Sequence, residues 1–82
     1  MRLDDYLSTV GIIKRRTVAK ELGANGLIEV NGRKVKPGYI VNVLDIIQIN
    51  GSHPFAAEVL DIPTRSVSKS EREEYFKEIK RP

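Results

Sequence analysis

The sequence predicts an α+β domain: two short N-terminal helices packed on a small antiparallel sheet, with a short C-terminal helix. Three observations carry this expectation. Apolar residues near the N-terminus recur at helical spacing. After Asn25-Gly26 the apolar residues alternate instead, as in a half-buried strand. Between the first two alternating runs stands Asn31-Gly32, the strongest short hairpin signal.

Leu3, Tyr6, Leu7 and Val10 fall on one face of the first helix, with Asp4 and Asp5 in its first turn, where negative charge suits the dipole. Gly11 ends it, and Ile12-Ile13 form a buried connector. A second helix is expected from Arg15 to Ala24, with Val18, Ala19 and Leu22 as its apolar stripe. Ile28 and Val30 begin the sheet, and Lys34-Val35 start the return strand after a type I′ turn. Lys36-Pro37-Gly38-Tyr39 reads as a turn. Ile40–Val43, Ile46–Ile49 and Phe55–Ile62 read as further strands, the last stopped by Pro63. Ser70 and Glu73 have the spacing of a capping box, which predicts a helix carrying Tyr75, Phe76 and Ile79 on one side, with Lys77, Lys80 and Arg81 late. The organisation expected is one domain over residues 1–62, followed by a polar linker and helix over 63–82.

Length and composition limit what such a chain does. Its 82 residues make one small domain, and 40% hydrophobic with 30% charged residues is globular composition. No apolar run approaches the ~20 residues of a membrane span, and no signal peptide is recognisable, so a cytoplasmic location is expected. There is no cysteine and one histidine, which exclude disulfides, thiolate sites and His-rich metal clusters. No phosphate-binding glycine loop, dinucleotide fingerprint or zincin motif occurs, and His53 sits in a Gly-Ser-His-Pro turn with nothing to mark it as a base. A non-catalytic protein without cofactor or metal is therefore expected.

The charge is unevenly placed. Residues 1–36 carry +4, residues 37–62 carry −3 and residues 63–82 carry +2. Lys14, Arg15 and Arg16 precede or open the second helix, and Lys20 shares a face with Arg16 one turn on. Positive charge at a helix N-terminus opposes the dipole, whereas an anion there is favoured by amides and guanidinium groups together. Arg2 precedes the first helix, and Arg33 and Lys34 flank the hairpin. The set Arg2, Lys14, Arg15, Arg16, Lys20, Arg33 and Lys34 is thus the candidate RNA-binding surface. Few aromatics accompany it, which favours reading of RNA backbone and shape over base stacking. A DNA-reading helix pair fits less well, because a hairpin directly follows the second helix. A stand-alone protein adaptor with no nucleic-acid role is the alternative class.

Arg2-Leu3-Asp4-x-Tyr6-Leu7, then Arg16-Thr17-x-Ala19-Lys20, then Gly26-x-Ile28-x-Val30-Asn31-Gly32-x-x-Val35 resembles the RNA-binding domain named after ribosomal protein S-four, over about residues 1–50. The resemblance implies an alpha-L type fold whose RNA surface is the second helix and the adjoining hairpin. The stretch Ile12–Glu21 is similar to the small ribosome quality-control proteins of the RqcP group and, less closely, to the fifteen-kilodalton heat-shock proteins. This similarity implies a non-catalytic clamp on ribosomal RNA and peptidyl-tRNA of the large subunit, with the alanine-tailing factor RqcH as a further implied partner; a monomer is the simplest state expected. Three positions depart from the family pattern. Asp5 reverses a common positive charge, Leu27 stands where a basic residue or histidine is common, and Leu44 replaces a turn glycine although leucine disfavours positive φ.

Overall fold

The structure is a computed structural model that describes residues 1–80; Arg81 and Pro82, the end of the expected C-terminal helix segment, lie outside the described residues. Helix α1 spans Leu3–Thr9 and α2 spans Arg16–Ala24. The strands are β1 Ile28–Val30, β2 Arg33–Lys34, β3 Ile46–Ile49, β4 Phe55–Val59 and β5 Phe76–Glu78. A 3₁₀ helix, Lys69–Glu74, precedes β5. The sheet order is β2-β1-β3-β4-β5, with every neighbouring pair antiparallel. This is the expected α+β class.

The α1 face acts as the periodicity predicts. Leu3, Tyr6, Leu7 and Val10 are all fully buried, in one core with Ala19, Ile28, Ile47 and Val59. Burial of each large apolar side chain contributes about 1.5–3 kcal/mol, so this stripe holds α1 on the sheet despite its short length. On α2 the buried stripe is Ala19 and Gly23, while Val18 faces solvent. Gly23 is required by packing: a Cβ there would lie 2.9 Å from Pro37 Cγ, so its bare backbone admits the turn around Pro37. A helix-weakening residue thus marks a close approach that propensity does not show.

The hairpin forms as predicted. Asn31 and Gly32 have φ of 53° and 84°, and Val30 faces Arg33 across the two-residue turn. Ile40–Val43, expected as a strand, is an irregular crossover. Ile40 makes a single bridge to Arg2, the Val41 amide donates to the Met1 carbonyl at 2.9 Å, and the Asn42 amide donates to Asp45. With those amides engaged by the N-terminus and by a turn, the run has no neighbouring strand to join.

The C-terminal segment also differs. The capping interaction falls on Ser68 and Glu71, two residues before the expected Ser70 and Glu73, with Glu71 accepting from the Ser68 amide at 3.1 Å. The short helix is of 3₁₀ type and stops at Glu74. Phe76–Glu78 then extends and pairs with β4, Val59 facing Phe76 and Ala57 facing Glu78. An isolated helix of this length is marginal, whereas the open edge of β4 offers ready hydrogen bonds. Phe76 also meets Phe55 edge to face, with ring centroids 6.3 Å apart. The segment expected to be a linker and helix therefore adds the last strand to the same sheet.

Candidate nucleic-acid interface

The interface is built around a buried carboxylate. Asp4 is fully buried in the first turn of α1. Its Oδ1 accepts from Arg2 Nε at 3.1 Å and from the Asp5 amide at 2.9 Å; its Oδ2 accepts from Arg2 Nη2 at 3.3 Å. Arg16 Nε lies 3.5 Å from the same Oδ2 and 3.1 Å from Asp5 Oδ1. Two arginines far apart in sequence are thereby drawn over one acidic pair. Burial pushes the Asp4 carboxyl up, but the Arg2 hydrogen bond, the Asp5 amide and the charges of Arg2 and Arg16 outweigh it and hold the group below the usual carboxylate range. The Arg2 and Arg16 side chains remain 46% and 55% exposed, so each is oriented from behind and open in front. Asp5, whose charge departs from the family pattern, serves as a second anchor for Arg16.

At the start of α2, Arg15 is the N-cap residue in an extended conformation. No side chain caps the first turn and no acidic residue lies in it. Amides there point outward with partial positive charge, next to the exposed Arg15 and Arg16. Lys20 is exposed one turn along.

The hairpin is tied down by a polar cluster. Asn31 Nδ2 donates to Asp45 Oδ1 at 3.0 Å, while its Oδ1 accepts from the Ile46 amide at 3.0 Å. Asp45, itself buried, also accepts from the Tyr39 hydroxyl and the Asn42 amide, both at 2.9 Å. Burial, and then the bond to Asp45, push the Tyr39 hydroxyl up. These bonds fix the strand that carries the exposed Arg33 and Lys34. The Lys34 side chain lies over Gly26, its Cδ 3.7 Å from where a Cβ would be, so it reaches the C-terminal end of α2.

One set of contacts joins these parts. The Leu3 amide donates to the Tyr39 carbonyl at 2.7 Å and the Asp4 amide to the Pro37 carbonyl at 3.2 Å, while Pro37 packs on Gly23. The structure thus brings Arg2 and Arg16 together over Asp4 beside the start of α2, and places Lys34 at the other end of that helix, over Gly26. Arg15, Lys20 and Arg33 are exposed on these same elements and make no ion pair among the described residues. Lys14, exposed just before Arg15, lines a cavity with Val67, Lys69 and Arg72. Sequence reasoning missed Asp4 and Asp45 as organisers, reading the first as a helix-dipole charge. The Arg2-x-Asp4 spacing and the polar Asn31 at a turn were the available signals.

Among the described residues no cluster of three or more His, Cys, Asp or Glu side chains could hold a metal ion. No helix among them is long and apolar enough to cross a membrane.

Comparison with known proteins identifies the family and the fold. The S4 domain family model matches residues 1–47. An RQC P-site tRNA stabilizing factor from Listeria monocytogenes is 38% identical over 98% of this chain and 87% of its own length. Its counterpart from Streptococcus pneumoniae is 44% identical over 76% of this chain and 72% of its own length. The trimeric structure of heat shock protein 15 from Vibrio cholerae has the same fold, with a TM-score of 0.86 at 22% identity, covering 96% of this chain and 81% of that one. With the family model matching more than half of the chain and relatives aligned over most of their length, the protein belongs to the S4 domain family and groups there with the RQC P-site tRNA stabilizing factors.

Proposed function

We propose that this protein is a non-catalytic RNA-binding factor that engages ribosomal RNA and P-site tRNA on the large ribosomal subunit during quality control of stalled nascent chains. The observation that carries the reading is the pair of half-exposed guanidinium groups, Arg2 and Arg16, aimed outward by the buried Asp4 beside an uncapped helix N-terminus. Arg15 and Lys20 extend that surface along α2, Arg33 and Lys34 extend it onto the hairpin, and Lys14 flanks it. Such a surface binds phosphates. The relatives are named for stabilizing tRNA in the P site, and this supplies the setting. Action as a monomer in the cytoplasm, alongside RqcH, completes the proposal.

Roughly five phosphate contacts predict a slope of log K against log salt of about −3 to −5. The direct test is sedimentation with large ribosomal subunits, free and obstructed by peptidyl-tRNA, at two salt concentrations. Co-sedimentation that favours obstructed subunits and weakens with salt is expected. Replacing Arg15 and Arg16 together by alanine is expected to abolish the preference and to make the slope shallower by about 2. Binding that persists in this variant with an unchanged slope would point instead to a protein adaptor.

A further inference from the structure

A second basic site lies where the C-terminal segment passes α1. A cavity of about 390 Å³ is lined there by Lys14, Lys69 and Arg72 together with Thr9 and Gly11. No carboxylate lines it. Of the acids near it in sequence, Asp5 pairs with Arg16 and Glu71 with Arg65 and the Ser68 amide, while the exposed Glu73 and Glu74, which follow Arg72, do not line it. Among the described residues none of the three cations makes an ion pair.

Arg72 is a placed charge rather than a free one. It is half-buried, and the chain around it is pinned by the Tyr75 amide donating to the Arg72 carbonyl at 3.0 Å. Its guanidinium lies against Gly11, with Nε and Nη2 each 2.5 Å from where a Cβ would stand. Gly11 also has φ of 83°, so both the backbone conformation and the space for the guanidinium call for glycine. Holding a cation partly out of water without a counter-charge is unfavourable, and a bound anion relieves it. Three cations and the hydroxyls of Ser8 and Thr9, without an opposing acid in the lining, select for an oxyanion of the phosphate class.

We infer that this cavity holds a backbone phosphate of the same RNA that lies on α2, so that Lys69 and Arg72 form a second phosphate contact outside the family-matched residues 1–47. Lys14 makes the connection. It immediately precedes the N-cap residue Arg15, within ~3.8 Å of backbone, so one strand reaches both places. The inference rests on the RNA-binding reading above and adds to it a contact supplied by the C-terminal segment.

Binding of a fluorescein-labelled RNA stem-loop, followed by anisotropy across roughly 50 to 200 mM salt, tests this. The proteins are the wild type, Lys69→Ala, Lys69→Ala with Arg72→Ala, and Arg15→Ala with Arg16→Ala. The C-terminal double variant is expected to bind about tenfold more weakly at low salt, with a slope shallower by about 1 to 2. Lys69 is exposed, so Lys69→Ala alone keeps the fold and is expected to lower the slope by about 1. Wild-type affinity and slope in both C-terminal variants, with binding lost in the Arg15/Arg16 variant, would overturn this inference and leave the proposed function standing. Failure of the wild type to bind the stem-loop would overturn both. A parallel arm titrates sodium phosphate against the backbone resonances of Lys69 and Arg72. Shifts there at low millimolar phosphate, with an RNA slope insensitive to both variants, would make the cavity a free-anion site and overturn the assignment to RNA.

Discussion

The Tyr6 hydroxyl donates to the Tyr75 carbonyl at 2.8 Å, across 69 positions of sequence. The same carbonyl accepts the Leu60 amide at 2.8 Å and the Asp61 amide at 3.3 Å. One oxygen therefore joins the core face of α1, the end of β4 and the approach to β5. It fixes the C-terminal segment, with Arg72 in it, against the helices that carry the proposed RNA surface.

Tyr6→Phe removes this donor while the two amides still satisfy the carbonyl. A loss of about 0.5–1.5 kcal/mol is expected, with the melting temperature falling ~4–8 °C per kcal/mol. Burial, and then the charge of Asp61, push the Tyr6 hydroxyl well above its ordinary value. A raised folded value means this contribution is full below pH ~10 and lost as pH rises beyond it. Thermal melts of the variant at alkaline pH should accordingly decline less steeply than those of the wild type.

Asp4→Asn tests the acidic limb. The Asp4 carboxyl is held down by its arginine partners, so its contribution is present above pH ~4 and disappears as pH falls through the depressed folded value. The variant should be less stable at neutral pH and should lose less further stability on acidification, as read by circular dichroism melts between pH ~7 and ~2. Arg2 and Arg16, no longer held together, should bind RNA less tightly.

Leu44 adopts φ of 76° and is exposed, at the turn where the family resemblance implies glycine. A left-handed conformation costs a branched residue about 1–2 kcal/mol, and glycine there costs about 0.5–1 kcal/mol in unfolded-state entropy. Leu44→Gly is therefore expected to raise stability by up to ~1 kcal/mol, visible as a shift of the urea midpoint at constant m.

Asn31→Ala removes both side-chain bonds that tie the hairpin to Asp45 and Ile46, and puts a less tolerant residue at φ of 53°. A loss of roughly 2–4 kcal/mol is expected from one hydrogen bond to a carboxylate, one from a backbone amide, and the backbone penalty. Hydrogen exchange should quicken at Arg33 and Lys34 before it changes in α1.

Local signals in the sequence were read correctly where the deciding physics is local. The α1 stripe, the Asn31-Gly32 turn and the β3 alternation each depend on a few neighbouring residues. Ile40–Val43 misled because its composition suits a strand, yet its amides are claimed by Met1 and Asp45, which composition does not reveal. Phe76–Glu78 misled for the converse reason: good helix formers are drawn into β5 by the open edge of β4. In the candidate interface, residue types and their helix were legible. The buried anchor was not, because Asp4 meets Arg16 only after the two helices pack.

The long loop closed by Tyr6 and Tyr75 also sets a schedule. Synthesis at ~5–20 residues per second leaves the hydroxyl of the first helix waiting about 3–14 s for its acceptor to be made. During that interval the nascent protein holds a phenol with no partner and a sheet without its final ribbon. Until Tyr75 and β5 are made, β4 presents an unpaired edge, the kind of surface on which partly folded chains associate.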